Sequence, residues 1–154
     1  MKLITSQQAS LGASDPLAPA QVLTLANDVD PCVLALDGIA RIELNFPKFT
    51  DGRAFSQAFL LRRRLGFSGE LRAVGDVLID QLLQMKRSGF DSAVLRADQN
   101  PDFAQRQLAR YPAFYQGDAG SAAPRFAQHE QPTSDDQLRT ELKVCPAKYQ
   151  EAHA

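Results

Sequence analysis

The amino-acid sequence predicts an α/β protein, a small parallel sheet of consecutive strand-helix units or a partial barrel built from the same units. Three observations carry this. From residue 39 apolar and polar residues alternate, with Ile42, Leu44 and Phe46 on one side and Arg41, Glu43 and Asn45 on the other, which is the period of a strand. Apolar residues at helical spacing follow two of the strand-like segments. A weak internal echo links the units: Gly66-Phe67 with Leu71-Arg72-Ala73 returns as Gly89-Phe90 with Leu95-Arg96-Ala97, one residue further along. Strand-loop-helix units with such short connections favour parallel strands and right-handed crossovers.

The elements follow in order. Residues 1–20 are rich in Ser, Ala, Gln and Pro and read as a flexible N-terminal arm. The core domain spans 21–116 and opens with a short apolar segment, 32–36, before the turn Asp37-Gly38. After the strand from residue 39 comes the loop FPKFTDGR, where the short side chain of Thr50 or Asp51 can cap a helix. Ala54, Ala58, Leu61 and Leu65 give that helix its buried stripe, and Gly66 stops it. A second strand is expected over 70–74. Gly75-Asp76 then turns the chain, Asp76 serving as N-cap of a helix with Leu78, Ile79, Leu82, Leu83 and Met85 inward and Gly89 at its end. A third strand falls at about 92–95, and Asn100-Pro101 opens a helix to about residue 110. Residues 117–154 read as a mostly disordered tail with one short helix near 135–144, where Ser134 and Gln137 match a capping box.

Composition narrows the function classes. With 154 residues and 44% apolar content the chain supports one core. Lys and Arg number 17 against 18 Asp and Glu, which removes the electrostatic footprint of nucleic-acid or anionic-membrane binding. The N-terminal segment has one Lys and no uninterrupted apolar region of a secretory signal, and no run approaches a membrane span, so a cytoplasmic protein is expected. Cys32 and Cys145 are far apart, and His129 and His153 lack companion ligands; no metal site is expected. There is no GxGxxG after a strand, no GxxxxGK[ST] and no cysteine set for siroheme or an iron-sulfur cluster, so no cofactor is expected either.

The candidate site chemistry lies in the loops that leave the strands, because parallel α/β folds gather these loops on one edge. They supply Lys48, Thr50, Asp51 and Arg53, then Arg72, Gly75 and Asp76, then Arg96, Asp98 and Asn100. Arginines near helix N-termini match a small oxyanion such as sulfate, phosphate or carboxylate. The competing reading makes Asp51 and Asp76 helix caps that pair with Arg53, Arg72 and Arg96 structurally. Asp76 and Asp80 are four apart and can share a helix face, more readily a solvated stripe than an acid-base pair. The run Arg62-Arg63-Arg64 reads as a solvated rim or a dock for an acidic partner. Phe46, Phe49, Phe55 and Phe59 are expected in the core or as helix staples.

The phrase FPKFTDGRAFSQAFLLRRRLGFSGELRAVGDVLIDQLLQMKRSGFD resembles the bacterial domain-of-unknown-function 934 family, with FTDGR and GELRAVGDV as its most specific parts and FYQ at 114–116 near the end of the likeness. The resemblance covers about residues 20 to 116. Its motif positions here are Phe49, Thr50, Asp51, Gly52, Arg53, Arg62, Gly69, Glu70, Leu71, Arg72, Ala73, Gly75, Asp76 and Asp80. Uncharacterised members are described as oxidoreductases of sulfite reduction and are encoded near sulfite reductase and other sulfate-assimilation genes. The resemblance therefore implies an accessory protein of assimilatory sulfite reduction, with sulfite reductase or another sulfate-assimilation protein as partner; an oxidoreductase activity rests on the resemblance alone. The alternative is a small enzyme or sensor that binds an oxyanion through Thr50, Asp51, Arg53, Arg72, Asp76, Asp80 and Arg96.

Overall fold

The alternation that begins at residue 39 becomes strand β3, Arg41–Phe46, inside a five-stranded parallel sheet. The computed structural model describes residues 1–10, 21–111 and 114–124. Strand β1 (Lys2–Thr5) leads into the short helix α1 (Ser6–Ser10), followed by β2 (Val22–Leu25), a 3-10 turn at Pro31–Val33 and β3. Helix α2 (Arg53–Arg63), β4 (Glu70–Gly75), a 3-10 turn at Ile79–Gln81, α3 (Leu82–Ser88), β5 (Ser92–Leu95) and α4 (Pro101–Ala109) complete the order. The strands lie as β1-β5-β4-β3-β2, a linear arrangement with β1 and β2 at the edges, so the parallel-sheet form of the expectation holds.

Register decides the two faces. Ile42 lies opposite Leu71, Leu44 opposite Ala73, and Ala73 opposite Ala93, so one face is a continuous apolar surface. Helices α2 and α3 close over it, with Ala54, Ala58, Leu61, Leu82 and Met85 fully buried. Phe46, Phe55 and Phe90 meet there with ring centroids 5.1 to 6.4 Å apart. The opposite face carries Arg41, Glu43, Glu70, Arg72 and Ser92. Parallel sheets are usually apolar on both sides, so this charged face sets the fold apart.

Helix α2 forms as expected, with Ala54, Ala58 and Leu61 at i, i+4 and i+7. Gln57 is also buried, its amide donating to the Ala26 and Val29 carbonyls at 2.8 Å each and fixing the loop after β2. Asn100 caps α4 by accepting the Asp102 N–H at 2.8 Å. Gly89 ends α3 with φ 102°, a left-handed conformation that suits glycine.

Several expectations change. The first ten residues are not all arm: Lys2–Thr5 pairs in parallel with Ser92–Leu95, and α1 follows it. Ser92–Leu95, equally short, is marked by the Gly-Phe echo before it, whereas Lys2–Thr5 has no such neighbouring signal and depends on β5 for its pairing. Strand β2 escaped notice for the same reason. Helix α3 starts only at Leu82, because β4 ends on Gly75 at φ 96° and the chain then runs through the Ile79–Gln81 turn. Asp76 therefore caps no helix, and Asp76 and Asp80 share no helix face. Phe49 and Phe59 are each 48% exposed and belong to the surface, not the core. The core boundary at 116 also moves outward, since the Ala119 N–H reaches the Arg87 carbonyl at 2.9 Å and the Arg87 guanidinium stacks 4.7 Å from the Phe114 ring centre. The helix expected near 135–144, His129, His153 and Cys145 lie outside the described residues.

Candidate functional site

Four parallel strands deliver their following loops to one edge, where one backbone bond and one side-chain amide tie neighbouring loops together. Asp76 N–H donates to the Phe46 carbonyl at 2.8 Å, and the Gln81 amide donates to the Phe49 carbonyl at 2.6 Å. A Cβ on Gly75 would stand 2.4 Å from the Phe46 oxygen, so the backbones of β3 and β4 approach this closely at their ends only because that position is glycine.

Asp51 anchors the first polar cluster. Its carboxylate accepts from Arg53 Nη2 at 2.7 Å and Nε at 3.0 Å, from the Arg53 backbone N–H at 3.2 Å, and from Asn27 Nδ2 at 2.6 Å. The Arg53 guanidinium, then its backbone N–H, with a smaller part from Asn27, hold the Asp51 carboxyl down at about 2. Asp51 reaches the first helical N–H from one residue before the cap position, which Gly52 occupies without a side-chain cap bond, so neither Asp51 nor the exposed Thr50 is the cap of α2 that the sequence suggested.

Asp76 anchors the second. One oxygen accepts the Phe49 N–H at 2.8 Å and the other accepts Arg96 Nη1 at 2.7 Å. Arg96 turns its remaining fork on Asp98, with Nε and Nη2 each 2.6 Å from a carboxylate oxygen. The pairing with Asp98, and then with Asp76, raises the Arg96 pKa above its ordinary value, and Arg96 in turn holds the Asp98 carboxyl at about 2. Asp80 is exposed in the Ile79–Gln81 turn.

Arg72 does not join them. It sits within β4, opposite Glu43 and Ser92, on the charged face of the sheet. Its guanidinium lies 3.1 Å from Glu70, 3.7 Å from Glu43 and 3.3 Å from Ser92 Oγ, while Arg41 Nε meets the other Glu70 oxygen at 2.7 Å. Partial burial pushes the Glu70 pKa up, but the Ser92 hydroxyl, Arg41 and Arg72 outweigh it and hold the carboxyl below its usual range. Of the predicted residues, then, the fold brings Asp51 to Arg53 and Asp76 to Arg96 and places Arg72 elsewhere.

Sequence reasoning missed Asn27, Gln81 and the Arg41-Glu43-Glu70-Ser92 set as partners. Asn27 follows an unrecognised strand. For the sheet face a signal existed, because the alternation already placed Arg41 and Glu43 on one side of β3, where the neighbouring strand must answer their charge.

Chemically, the strand-end edge is dominated by ion pairs, with Lys48 exposed beside them. Asp51, Asp76 and Asp98 outnumber Arg53 and Arg96, and both guanidinium forks are engaged by carboxylates. Among the described residues no group of three or more His, Cys, Asp or Glu side chains is placed to hold a metal ion, and no helix is long and apolar enough to cross a membrane. A family model whose description is "Bacterial protein of unknown function (DUF934)" matches residues 22–126. No curated protein and no solved structure matches the chain.

Proposed function

The chain belongs to the DUF934 family of bacterial proteins of unknown function, and from that premise we propose that it is a cytoplasmic accessory protein of assimilatory sulfite reduction, docking on sulfite reductase or another sulfate-assimilation protein. The pathway comes from the resemblance carried by FTDGR and GELRAVGDV. The mode of action comes from one observation: Arg53 and Arg96 already spend their guanidinium forks on Asp51, Asp76 and Asp98. An oxyanion would have to compete with a carboxylate at each fork. Asp76 and Gln81 also hold the Phe49 backbone, so the loop presents a phenylalanine that is 48% exposed. An exposed aromatic on a backbone held from both sides, beside a polar rim, is the build of a protein contact, in which an aromatic anchor supplies most of the binding energy.

The test is isolation of the tagged protein from cells growing on sulfate as sole sulfur source. Sulfite reductase is expected to copurify, and Phe49→Ala is expected to weaken its recovery while leaving the melting temperature nearly unchanged. Recovery of the protein alone, together with a rise in melting temperature on adding sulfite or sulfate, would favour the oxyanion-binding alternative and overturn this reading.

A further inference from the structure

We propose that the groove between α2 and α3 is a docking site for an acidic amphipathic segment of a partner protein. The groove is open, holds about 400 Å³, and is lined by Phe55, Ser56, Phe59 and Leu60 from α2 and by Gln84 and Ser88 from α3. Its residues belong to the helical layer and not to the strand-end loops, so the inference stands whichever protein those loops meet.

The apolar part comes from helical spacing. Ser56, Phe59, Leu60 and Arg63 fall at i, i+3, i+4 and i+7 and form one stripe along α2. Phe59 leaves 48% of its surface in water although Phe55, one turn earlier, packs on the core rings of Phe46 and Phe90. A half-exposed phenylalanine above a groove floor is what an aromatic hot spot looks like without its partner. Ser56, Gln84 and Ser88 supply polar groups at the groove, the last two 3.4 Å apart.

Charge identifies the occupant. Every ionisable side chain in α2 and α3 is basic: Arg53, Arg62 and Arg63 in the first, Lys86 and Arg87 in the second. Three of these are committed, Arg53 to Asp51 at the strand-end edge. Arg62 donates to the Gly89, Phe67 and Gly69 carbonyls and pairs with Asp91, and Arg87 stacks on Phe114. Arg63 and Lys86 are exposed and pair with no carboxylate among the described residues. Arg63 follows Phe59 by four residues, so a cation stands beside the apolar anchor. In a chain of net charge −1 this layer is a local positive excess. A partner that lays an apolar side chain beside Phe59 and a carboxylate beside Arg63 satisfies both features. A second copy would bring a basic face against its like, and a chain of net charge −1 lacks the broad basic surface that holds a nucleic-acid backbone.

The probe is a fluorescent synthetic helical peptide with leucines at i, i+4 spacing and glutamates elsewhere, titrated with the full-length protein, against the same peptide with lysines for glutamates. Saturable binding is expected for the acidic peptide alone, with amide NMR shifts confined to α2 and α3. Phe59→Ala and Arg63→Glu should each weaken it by about tenfold or more with melting temperatures unchanged, and added salt should weaken it further. Absence of saturable binding, equal binding of the basic peptide, shifts outside α2 and α3, or tighter binding of a single-stranded oligonucleotide would each overturn the inference. Self-association of the protein alone that is lost in Phe59→Ala would also overturn it, by making a second copy the occupant.

Discussion

The Asp76 carboxylate accepts the Phe49 N–H at 2.8 Å, so the residue that follows β4 holds the loop that leaves β3. The bond spans 27 residues of sequence and crosses from one strand-end loop to the next. Asp76→Ala removes this acceptor and also the Arg96 contact, and is expected to cost about 1 to 2 kcal/mol, since each bond contributes on the order of 1 kcal/mol net. Denaturant melts should show that loss, and hydrogen exchange should show faster exchange at Phe49. Asp76→Asn keeps an acceptor for Phe49 and should recover part of it.

Arg62 predicts the larger effect. Its side chain, 14% exposed, donates to the Gly89 carbonyl at 2.9 Å, the Phe67 carbonyl at 2.6 Å and the Gly69 carbonyl at 2.8 Å, and pairs with Asp91. The clamp thus joins the two Gly-Phe turns of the internal echo. Arg62→Ala strands three carbonyls and the Asp91 carboxylate, which also accepts the Leu71 N–H at 2.9 Å, and should cost about 3 kcal/mol. Arg62→Lys retains the charge but not the fork and should recover only a minor share. Arg63→Ala, one residue on and exposed, should stay within about 0.5 kcal/mol of wild type in the same urea titration.

How much of this was legible in the sequence divides along a physical line. Strand β3 and helix α2 were readable because Arg41–Phe46 and Arg53–Arg63 are long enough to show a period, and Asn100 announced α4 through local capping chemistry. Strands β1 and β2, four residues each, carry no such pattern, and their identity depends on pairing with β5 and β3. The aspartates were recognised as important, but a sequence shows what Asp76 can do for its own helix and not what it does for Phe49 on another loop. Arg62 read as a solvated rim because its three carbonyl partners are backbone atoms, invisible in side-chain patterns. Arg72 was assigned to the strand end although its position within β4 placed it on the sheet face, beside residues that the period-2 reading had already sorted.

That sheet face yields a third expectation. Arg72 is 14% exposed and faces Glu43, Glu70 and Ser92, so Arg72→Ala should destabilise the fold by about 3 kcal/mol by leaving partly buried carboxylates short of a partner. Arg72→Met fills the volume without the charge and should cost as much or more unless Glu70 is also replaced. The double variant Arg72→Met with Glu70→Leu should be more stable than the sum of the single changes predicts, a coupling that a double-mutant cycle in denaturant measures. Additivity would show that the ion pairs of β3 and β4 do not act together.

The last expectation concerns pH and the two strand-end carboxylates held at about 2, Asp51 by Arg53 and Asp98 by Arg96. Both pKa values lie below the ordinary carboxylate value of 3.8, so both groups contribute stability above that value. Their contribution falls away as the pH drops from about 4 toward about 2, where the folded state also takes up the protons. Melting temperature should decline across this window, and Asp51→Asn and Asp98→Asn should each flatten the decline while lowering stability at neutral pH. At neutral pH both carboxylates are charged and both arginine forks are occupied, which is why the native edge should ignore small anions. The double variant Asp51→Ala with Asp98→Ala leaves Arg53 only the more distant field of Asp28 and leaves Arg96 only Asp76. Sulfate should then raise its melting temperature more than that of the wild-type protein at matched ionic strength. An equal response in the two proteins would show that the carboxylates do not keep anions from these arginines.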